Sequence, residues 1–339
     1  MKCNLIIDMN FILKRNAFAL SNENTVYGEL LTSLHSTVAY YDRIYNFKNV
    51  YITCDSKQKK YWRKILYPAY KGKRTTEEDM DWEFIWNTYE QFKDEVRAAG
   101  QYILVESEYL EGDDWIHHIV EESNAKSESC VIVASDGDIN QEVKFMLTPM
   151  WINVQIKDII KYETVFFPEN YSMFVKKLSD KKTNLFKLGD NSSFLQMLKD
   201  ITLRRKIKEV DPQEVLFLKL ISGDKSDNIS SILVTESVSK KTGETLIRGI
   251  GEAGAKKIYK EYLELYPERI NFKSKLFANR VIELVKKYKK DTTTSHEILL
   301  EKLFLNIRLM KLDSIFIPEE ICSKMGEKLN EMRSLKHAY

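Results

Sequence analysis

Val50-Tyr51-Ile52-Thr53-Cys54-Asp55 is a short run of β-branched, aromatic and apolar residues that ends on an acid. Its polarity does not alternate, so it reads as a strand buried on both faces, the mark of a parallel sheet. Three further runs share this character. Cys3–Ile7 ends at Asp8, Tyr102–Val105 is followed after a short turn by Glu111, Asp113 and Asp114, and Val131–Ala134 leads to Asp136 and Asp138. Helical patterns lie between them. Tyr27, Leu30, Leu31, Leu34, Val38 and Tyr41 recur at spacings of three and four, as do Trp82, Ile85, Trp86, Tyr89, Phe92 and Val96, with Gly100 as a stop. A third helix is expected from Tyr109 to about Glu122. The fold class that follows is α/β, doubly wound around a mainly parallel central sheet.

Beyond Met150 the pattern loosens. Residues 163–210 are rich in Lys with scattered aromatics and read as an insertion of no assigned architecture. Asp211-Pro212 then starts a helix, an N-cap acid followed by Pro at the first helical position, that runs up to Gly223. After residue 230 the chain is mostly helical and charged. The expected organisation is an α/β domain over 1–230 and a helical domain over 231–339.

Composition bounds the function. The chain has 339 residues, 43% of them hydrophobic, enough for both domains. No stretch approaches the roughly 18–20 apolar residues that span a bilayer, and the N-terminus turns acidic too soon for a signal peptide. Cys3, Cys54, Cys130 and Cys322 show no CxxC spacing and read as buried reduced thiols of a cytoplasmic protein, which disfavours zinc; a monomer with no membrane contact is expected. The net charge of +2 hides a concentrated basic segment, Lys57, Lys59, Lys60, Arg63, Lys64, Lys71, Lys73 and Arg74, uninterrupted by any acid. Such a split suits phosphates on one surface and cations in a cleft.

The placement of the acids is the informative feature. Ligands of open parallel sheets bind beyond the carboxyl ends of the strands, so Asp8, Asp55, Asp136 and Asp138 and the Glu111–Asp114 group are expected to converge. Asp224 and Asp227 follow the helix ending near Gly223 and add a further pair. A single strand-end Asp is ordinarily a turn or cap residue; four segments repeating the pattern are not explained that way. Like charges about 4 Å apart repel by roughly 4 kcal/mol at an effective dielectric near 20, so the cluster calls for cations. Ligands that are all oxygen favour Mg²⁺, with Mn²⁺ as a substitute. Two such ions about 3.5–4 Å apart are a known device for in-line phosphodiester cleavage.

Asp8, Val50–Asp55, Tyr70-Lys71-Gly72-Lys73-Arg74, Glu111-Gly112-Asp113-Asp114, Ser135-Asp136-Gly137-Asp138 and Gly223-Asp224-Lys225-Ser226-Asp227-Asn228 occur in the order found in the flap endonuclease superfamily. The set resembles that family over about residues 1–260. Within it the sequence is most similar to the ribonuclease H group of T-even-type bacteriophages, which are 5′-nucleases and do not have the ribonuclease H fold. The resemblance implies a PIN-like nuclease domain, a first metal site at Asp8, Asp55, Asp113 or Asp114, and Asp136 with Glu111 close by, and a second at Asp138, Asp224 and Asp227. Gly112 stands where many relatives have Ala. The activity implied is 5′→3′ exonuclease and flap endonuclease cleavage of DNA and RNA–DNA duplexes, including removal of RNA primers in replication.

In this family the segment after the second strand forms an arch or bridge for single-stranded 5′ ends, and residues 57–80 match it. Alternating basics and aromatics (Tyr61, Trp62, Tyr67, Tyr70) suit phosphates and stacked bases. Lys71, Arg74 and Arg63 are the candidates for holding the scissile phosphate, and Lys59, Lys60, Tyr70 and Lys73 for binding the strand. Arg248, Gly249, Gly251, Gly254, Lys256 and Lys257 match the family's helix–turn–helix duplex clamp, which often takes a monovalent cation; closely spaced glycines at a helix start also let amides approach a phosphate. His117 and His118 read as packing residues, Trp82 and Trp86 as core. Segment 314–339 reads as a terminal helix, with docking of a sliding clamp or single-strand DNA-binding protein as the alternative. Three rival functions fit the sequence less well. An aspartate-nucleophile phosphatase is disfavoured by Asn10, where a second acid is needed. A non-catalytic fork-binding scaffold is disfavoured because every expected acid is present, and a PIN-type single-strand ribonuclease because of the Gly-rich duplex element.

Overall fold

The computed structural model describes residues 3–22, 27–43, 47–57, 60–73, 80–126, 128–134, 136–141, 145–149, 159–162, 205–209, 211–238 and 245–336. Most of the insertion expected at 163–210, the loop 239–243, and the site candidates Lys59 and Arg74 lie outside them. The chain resolves into two compact units, one of Met1–Trp62, Glu77–Val210 and Asp313–Tyr339 and one of Arg63–Thr76 and Asp211–Leu312. The boundary is therefore not a single cut in the chain.

In the first unit the apolar runs form strands β1 (Cys3–Asp8), β2 (Asn49–Thr53), β3 (Ile103–Val105) and β4 (Ser129–Ala134), parallel and ordered β3-β2-β1-β4. Strands β5 (Phe145–Pro149), β6 (Ile159–Tyr162) and β7 (Arg205–Glu209) extend this sheet beyond β4 in antiparallel pairing. The helices are α1 (Met9–Asn22), α2 (Leu30–Asp42), α4 (Trp82–Ala99) and α5 (Gly112–Ala125); the one-turn α3 (Trp62–Leu66) starts at Trp62 and continues as residues of the second unit. The sequence periodicity placed α2, α4 and α5 but passed over α1. Gly100 ends α4 in the left-handed conformation, φ 64°, where Cβ-bearing residues are strained.

Successive strand residues point to opposite faces, and both faces are filled. On one, Leu5, Ile7, Val50, Ile52, Leu104, Val131 and Val133 share a buried cluster with residues of α1, α2 and α4. The other is covered by α5 and by the C-terminal helix α10 (Glu319–Lys336). Arg333 of that helix donates to the Tyr51 hydroxyl at 2.8 and 3.0 Å and to Glu122 at 2.6 Å, so the last helix is tied to both β2 and α5. Cys54 and Cys130 are buried free thiols, and burial pushes the Cys54 thiol up to about 12.

The second unit holds α6 (Pro212–Ser222), the hairpin β8 (Thr235–Val238) and β9 (Thr245–Arg248), α7 (Glu252–Leu265), α8 (Lys275–Lys289) and α9 (His296–Met310). Asp211 caps α6 by accepting the Gln213 N–H, with Pro at the first turn as the sequence led us to expect. Phe217 gathers Tyr259, Tyr262 and Phe277 around it as an aromatic core. Among the described residues no helix is long and apolar enough to cross a membrane.

Phe92, fully buried between α4 and the sheet, tests this packing. Phe92→Ala is expected to lower unfolding free energy by about 3–5 kcal/mol, read by urea denaturation. A loss under about 1 kcal/mol would remove α4 from the core.

Candidate metal centre

Strand register decides where the acids of the first unit stand. Asp8 lies level with Thr53, and Ile7 lies level with both Ile52 and Val133. The carboxyl ends of β1, β2 and β4 therefore finish together, and Asp8, Asp55 and Asp136 follow at the same edge. Asp8 is 9% exposed, and its Oδ1 accepts the Phe11 N–H at 3.1 Å. Asp55 accepts the Gly112 N–H at 2.8 Å, at the first residue of α5. A methyl group placed on Gly112 would lie 3.4 Å from Asp55 Oδ1 and 3.9 Å from Asp8 Oδ1. The two carboxylates thus approach one small volume, and the Ala of relatives would fit there at ordinary contact distance.

The electrostatics agree with this geometry. Burial, then the charges of Asp55 and Asp136, raise the Asp8 carboxyl to about 7, against the partial relief of the Phe11 N–H and Lys14. Glu111 is buried at the N-cap of α5, and Asp113 is half-buried in its first turn. Asp114 is 3% exposed, and its Oδ2 accepts both the Glu111 N–H at 3.0 Å and the Trp62 indole N–H at 3.2 Å. Asp136 is exposed and accepts the Asp138 N–H at 2.8 Å, while Asp138 opens a 3₁₀ turn. Among the described residues no three carboxylate, imidazole or thiolate groups close around a single point. The donors are nevertheless all oxygen, and Asp8 is under strain from its neighbours' charge, so a hard divalent cation fits this set chemically.

The second unit gathers its own group. After α6, Asp224 pairs with Lys219 at 2.8 Å and accepts the N–H and hydroxyl of Ser226. Burial alone would raise its carboxyl; Lys219 and Ser226 outweigh that and hold it at about 2. Segment 67–71 is fastened to the same turn. Lys71 N–H donates to the Asp227 carbonyl at 2.9 Å, Asn228 Nδ2 to the Ala69 carbonyl at 2.8 Å, and the Tyr67 hydroxyl to the Asn228 carbonyl at 3.3 Å. Lys71 has φ 56°, and its ammonium sits 5.1 Å from the Tyr70 ring centroid. The structure thus brings together Lys71 and the Asp224–Asn228 turn, which lie far apart in the sequence.

Several expected contacts with nucleic acid take a different form. Tyr61, Trp62 and Tyr70 are 7%, 2% and 3% exposed, so packing rather than base stacking claims their rings. Arg63, 3% exposed, donates Nε to the Leu309 carbonyl at 2.9 Å at the end of α9, a structural bond in place of a phosphate contact. Lys60 and Lys73 are exposed. In the Gly-rich segment Arg248, Gly249 and Lys257 are exposed, Gly251 is the N-cap of α7, and Lys256 pairs with Glu214 at 3.3 Å. A Cβ at Gly254 would stand 2.9 Å from the Tyr288 hydroxyl, so the exposed Tyr288 side chain would have to shift to admit it. His117 and Trp115 are buried on α5, and Trp82 and Trp86 pack against the core, as their spacing suggested. Asn10, which spoke only against a phosphatase in the sequence, also belongs to this edge. Its Oδ1 accepts the Tyr89 hydroxyl at 2.8 Å and faces the Asp55 N–H at 3.5 Å, and its place two residues after Asp8 was the available signal.

Comparison with known proteins agrees with this architecture. Residues 4–171 match the family described as 5′-3′ exonuclease, N-terminal resolvase-like domain. The ribonuclease H of Enterobacteria phage T4 is 24% identical over 205 residues, which cover 59% of this chain and 64% of that protein's length. A bacteriophage T5 protein co-crystallised with metal ions superposes with a TM-score of 0.53 at 16% identity, covering 98% of this chain and 99% of that one. The T5 flap endonuclease in a pseudo-enzyme-product complex with DNA and metal ions superposes with a TM-score of 0.54 at 15% identity and the same coverage. At these identities the likeness to solved structures establishes the fold. The family match over residues 4–171 and the likeness to the T4 protein thus agree with the fold on a 5′-3′ exonuclease-like N-terminal domain.

The charge on Asp8 gives a pH test. Its folded-state pKa, about 7, lies above the ordinary 3.8, so the metal-free fold binds this proton more tightly than the unfolded chain does. Its contribution is most favourable below about pH 4 and is lost as the pH rises to about 7. With chelator present, Asp8→Asn is expected to stabilise the protein at pH 7.5 and to give little gain at pH 4.5, measured by urea unfolding. Equal changes at the two pH values would contradict the assignment.

Proposed function

We propose that this protein is a divalent-metal-dependent 5′-nuclease, acting as a 5′→3′ exonuclease and flap endonuclease on DNA and RNA–DNA duplexes, and that primer removal in replication is its use. The observation that carries the reading is the convergence of Asp8 and Asp55 at the start of α5, where burial and the charges of Asp55 and Asp136 raise the Asp8 carboxyl to about 7. The match of residues 4–171 to the 5′-3′ exonuclease N-terminal domain, and the likeness to T4 ribonuclease H and the T5 flap endonuclease, support it.

Asp8, Asp55, Glu111, Asp113 and Asp136 would hold Mg²⁺, or Mn²⁺ in its place. When bound, paired ions of this kind lower the pKa of attacking water and stabilise the leaving oxygen. The remaining work falls to the chain. The β1–β2 register and the Gly112 N–H fix the carboxylates in advance, so little reorganisation is left for substrate binding. Lys71, whose backbone is anchored at Asp227, would place its ammonium on a substrate phosphate. Exposed Lys60 and Lys73, together with Arg248 and Lys257, would track the backbone and give sequence-independent, salt-sensitive binding.

Asp55→Asn and Asp136→Asn are each expected to lower turnover on a 5′-labelled flap by about 100-fold or more, while duplex affinity stays within a few-fold. Near-normal turnover in either variant would overturn the reading. Lys71→Ala should likewise cost turnover far more than duplex affinity; equal losses would reduce Lys71 to a backbone contact. Running RNA-primer, flap and free-RNA substrates in Mg²⁺ and in chelator separates this activity from single-strand RNA cleavage.

A further inference from the structure

The sequence offers two adjacent acids, Asp113 and Asp114, for one place at the metal centre. Neighbouring helix residues diverge by about 100°, so the two cannot serve the same point equally. We infer that Asp114 is not a metal ligand but a positioning residue, which together with Trp62 fixes the first turn of α5 against the strand-end acids. This deepens the nuclease reading and rests on it.

One oxygen of Asp114 takes two N–H donors. The Glu111 N–H, at 3.0 Å, is one of the amides that a helix start leaves without an intrahelical partner; accepting it from the third helical position completes a capping box. The Trp62 indole, at 3.2 Å, is a donor only, and in a side chain 2% exposed it needs an acceptor. Asp114 itself is 3% exposed, so its carboxylate is committed within the protein interior.

The loop entering α5 depends on this clasp. Tyr109 sits at φ 68°, in the left-handed region, which costs a residue with a Cβ on the order of 1–3 kcal/mol. Trp62 holds that residue too, donating its backbone N–H to the Tyr109 carbonyl at 2.9 Å, and Tyr61 forms a parallel bridge with Tyr109. Ser56 adds a bond from its N–H to the Leu110 carbonyl at 2.9 Å. Directly beyond, Glu111 is the N-cap and Gly112 donates to Asp55 at 2.8 Å. Trp62 and Asp114 therefore set the direction from which Glu111 and the Gly112 N–H meet the metal centre. Trp62 itself lies within the basic segment Lys57–Arg74.

Because both donors meet a single oxygen, an amide oxygen can accept them in its place. Asp114→Asn removes the charge and keeps the clasp; Asp114→Ala removes both. Mn²⁺ binding to the full chain, followed by isothermal titration calorimetry, distinguishes the roles without reference to activity. For a positioning residue, Asp114→Asn holds affinity within about three-fold, while Asp114→Ala weakens it about 10–100-fold, as outer-shell partners do. Trp62→Phe weakens binding in the same direction, and adding it to Asp114→Ala brings no further loss. Asp113→Asn falls as far as Asp55→Asn. If Asp114→Asn loses as much affinity as Asp113→Asn, or if Trp62→Phe binds like the wild type, the assignment is wrong. The comparison of Asp114→Asn with Trp62→Phe keeps the test open should Asp114→Ala fail to fold. A wild-type chain that binds no Mn²⁺ would sink the metal-centre reading and this assignment with it; a wild type that binds, with a weakened Asp114→Asn, sinks this assignment alone.

Discussion

Asp8 and Asp55 face each other because the β1–β2 ladder leaves them no alternative. Asp8 is itself the last residue of β1, level with Thr53, and Asp55 follows two residues after that partner. Separating the carboxylates would mean breaking the register of central strands that are packed on both faces, where slipping by one residue would turn every buried side chain to the wrong layer. The sheet therefore imposes a repulsion that the molecule can relieve only locally, by keeping a proton on Asp8 or by accepting a cation. The cost of the site is carried by the core of α1, α2 and α4 on one face and of α5 and α10 on the other.

Helix α5 is the second element in this balance. Its N-terminal amides and dipole favour negative charge at its start, and the Gly112 N–H is spent directly on Asp55. The same turn supplies Glu111 and Asp113. One short stretch thus both stabilises an acid of the cluster and adds two more, which explains why its own geometry is held so fully by Trp62, Tyr61 and Ser56. Arg333 binds the far side of the helix, through Glu122, to Tyr51 of β2.

In the second unit a different device is at work. The Asp224–Asn228 turn satisfies its leading acid internally, with Lys219 and Ser226, and presents backbone carbonyls to segment 67–71. Lys71 is thereby placed by main-chain bonds while its side chain lies along Tyr70. A cation whose backbone is held in this way has its place set by the fold, as the proposed phosphate contact requires.

Local chemistry in the sequence was enough to find the four parallel strands and the acids that follow them, but not β5–β9. Runs such as Val50–Asp55 are apolar without alternation and end on a carboxylate, and both facts follow from burial on two faces and a ligand edge at the strand ends. Gly100 and Asp211-Pro212 marked helix ends for equally local reasons. Three matters could be settled only by contacts between distant residues. Periodicity cannot say whether an aromatic beside a lysine is a stacking surface or core; Tyr61, Trp62 and Tyr70 turned out to be core. It cannot choose between Asp113 and Asp114, because the choice lies with an indole more than fifty positions away. Nor can it foresee that residues 313–339 join the unit of the parallel sheet while 63–76 join the helical one. Propensity and pattern act over a few residues, whereas burial and hydrogen-bond partners are decided by whatever the folded chain brings alongside.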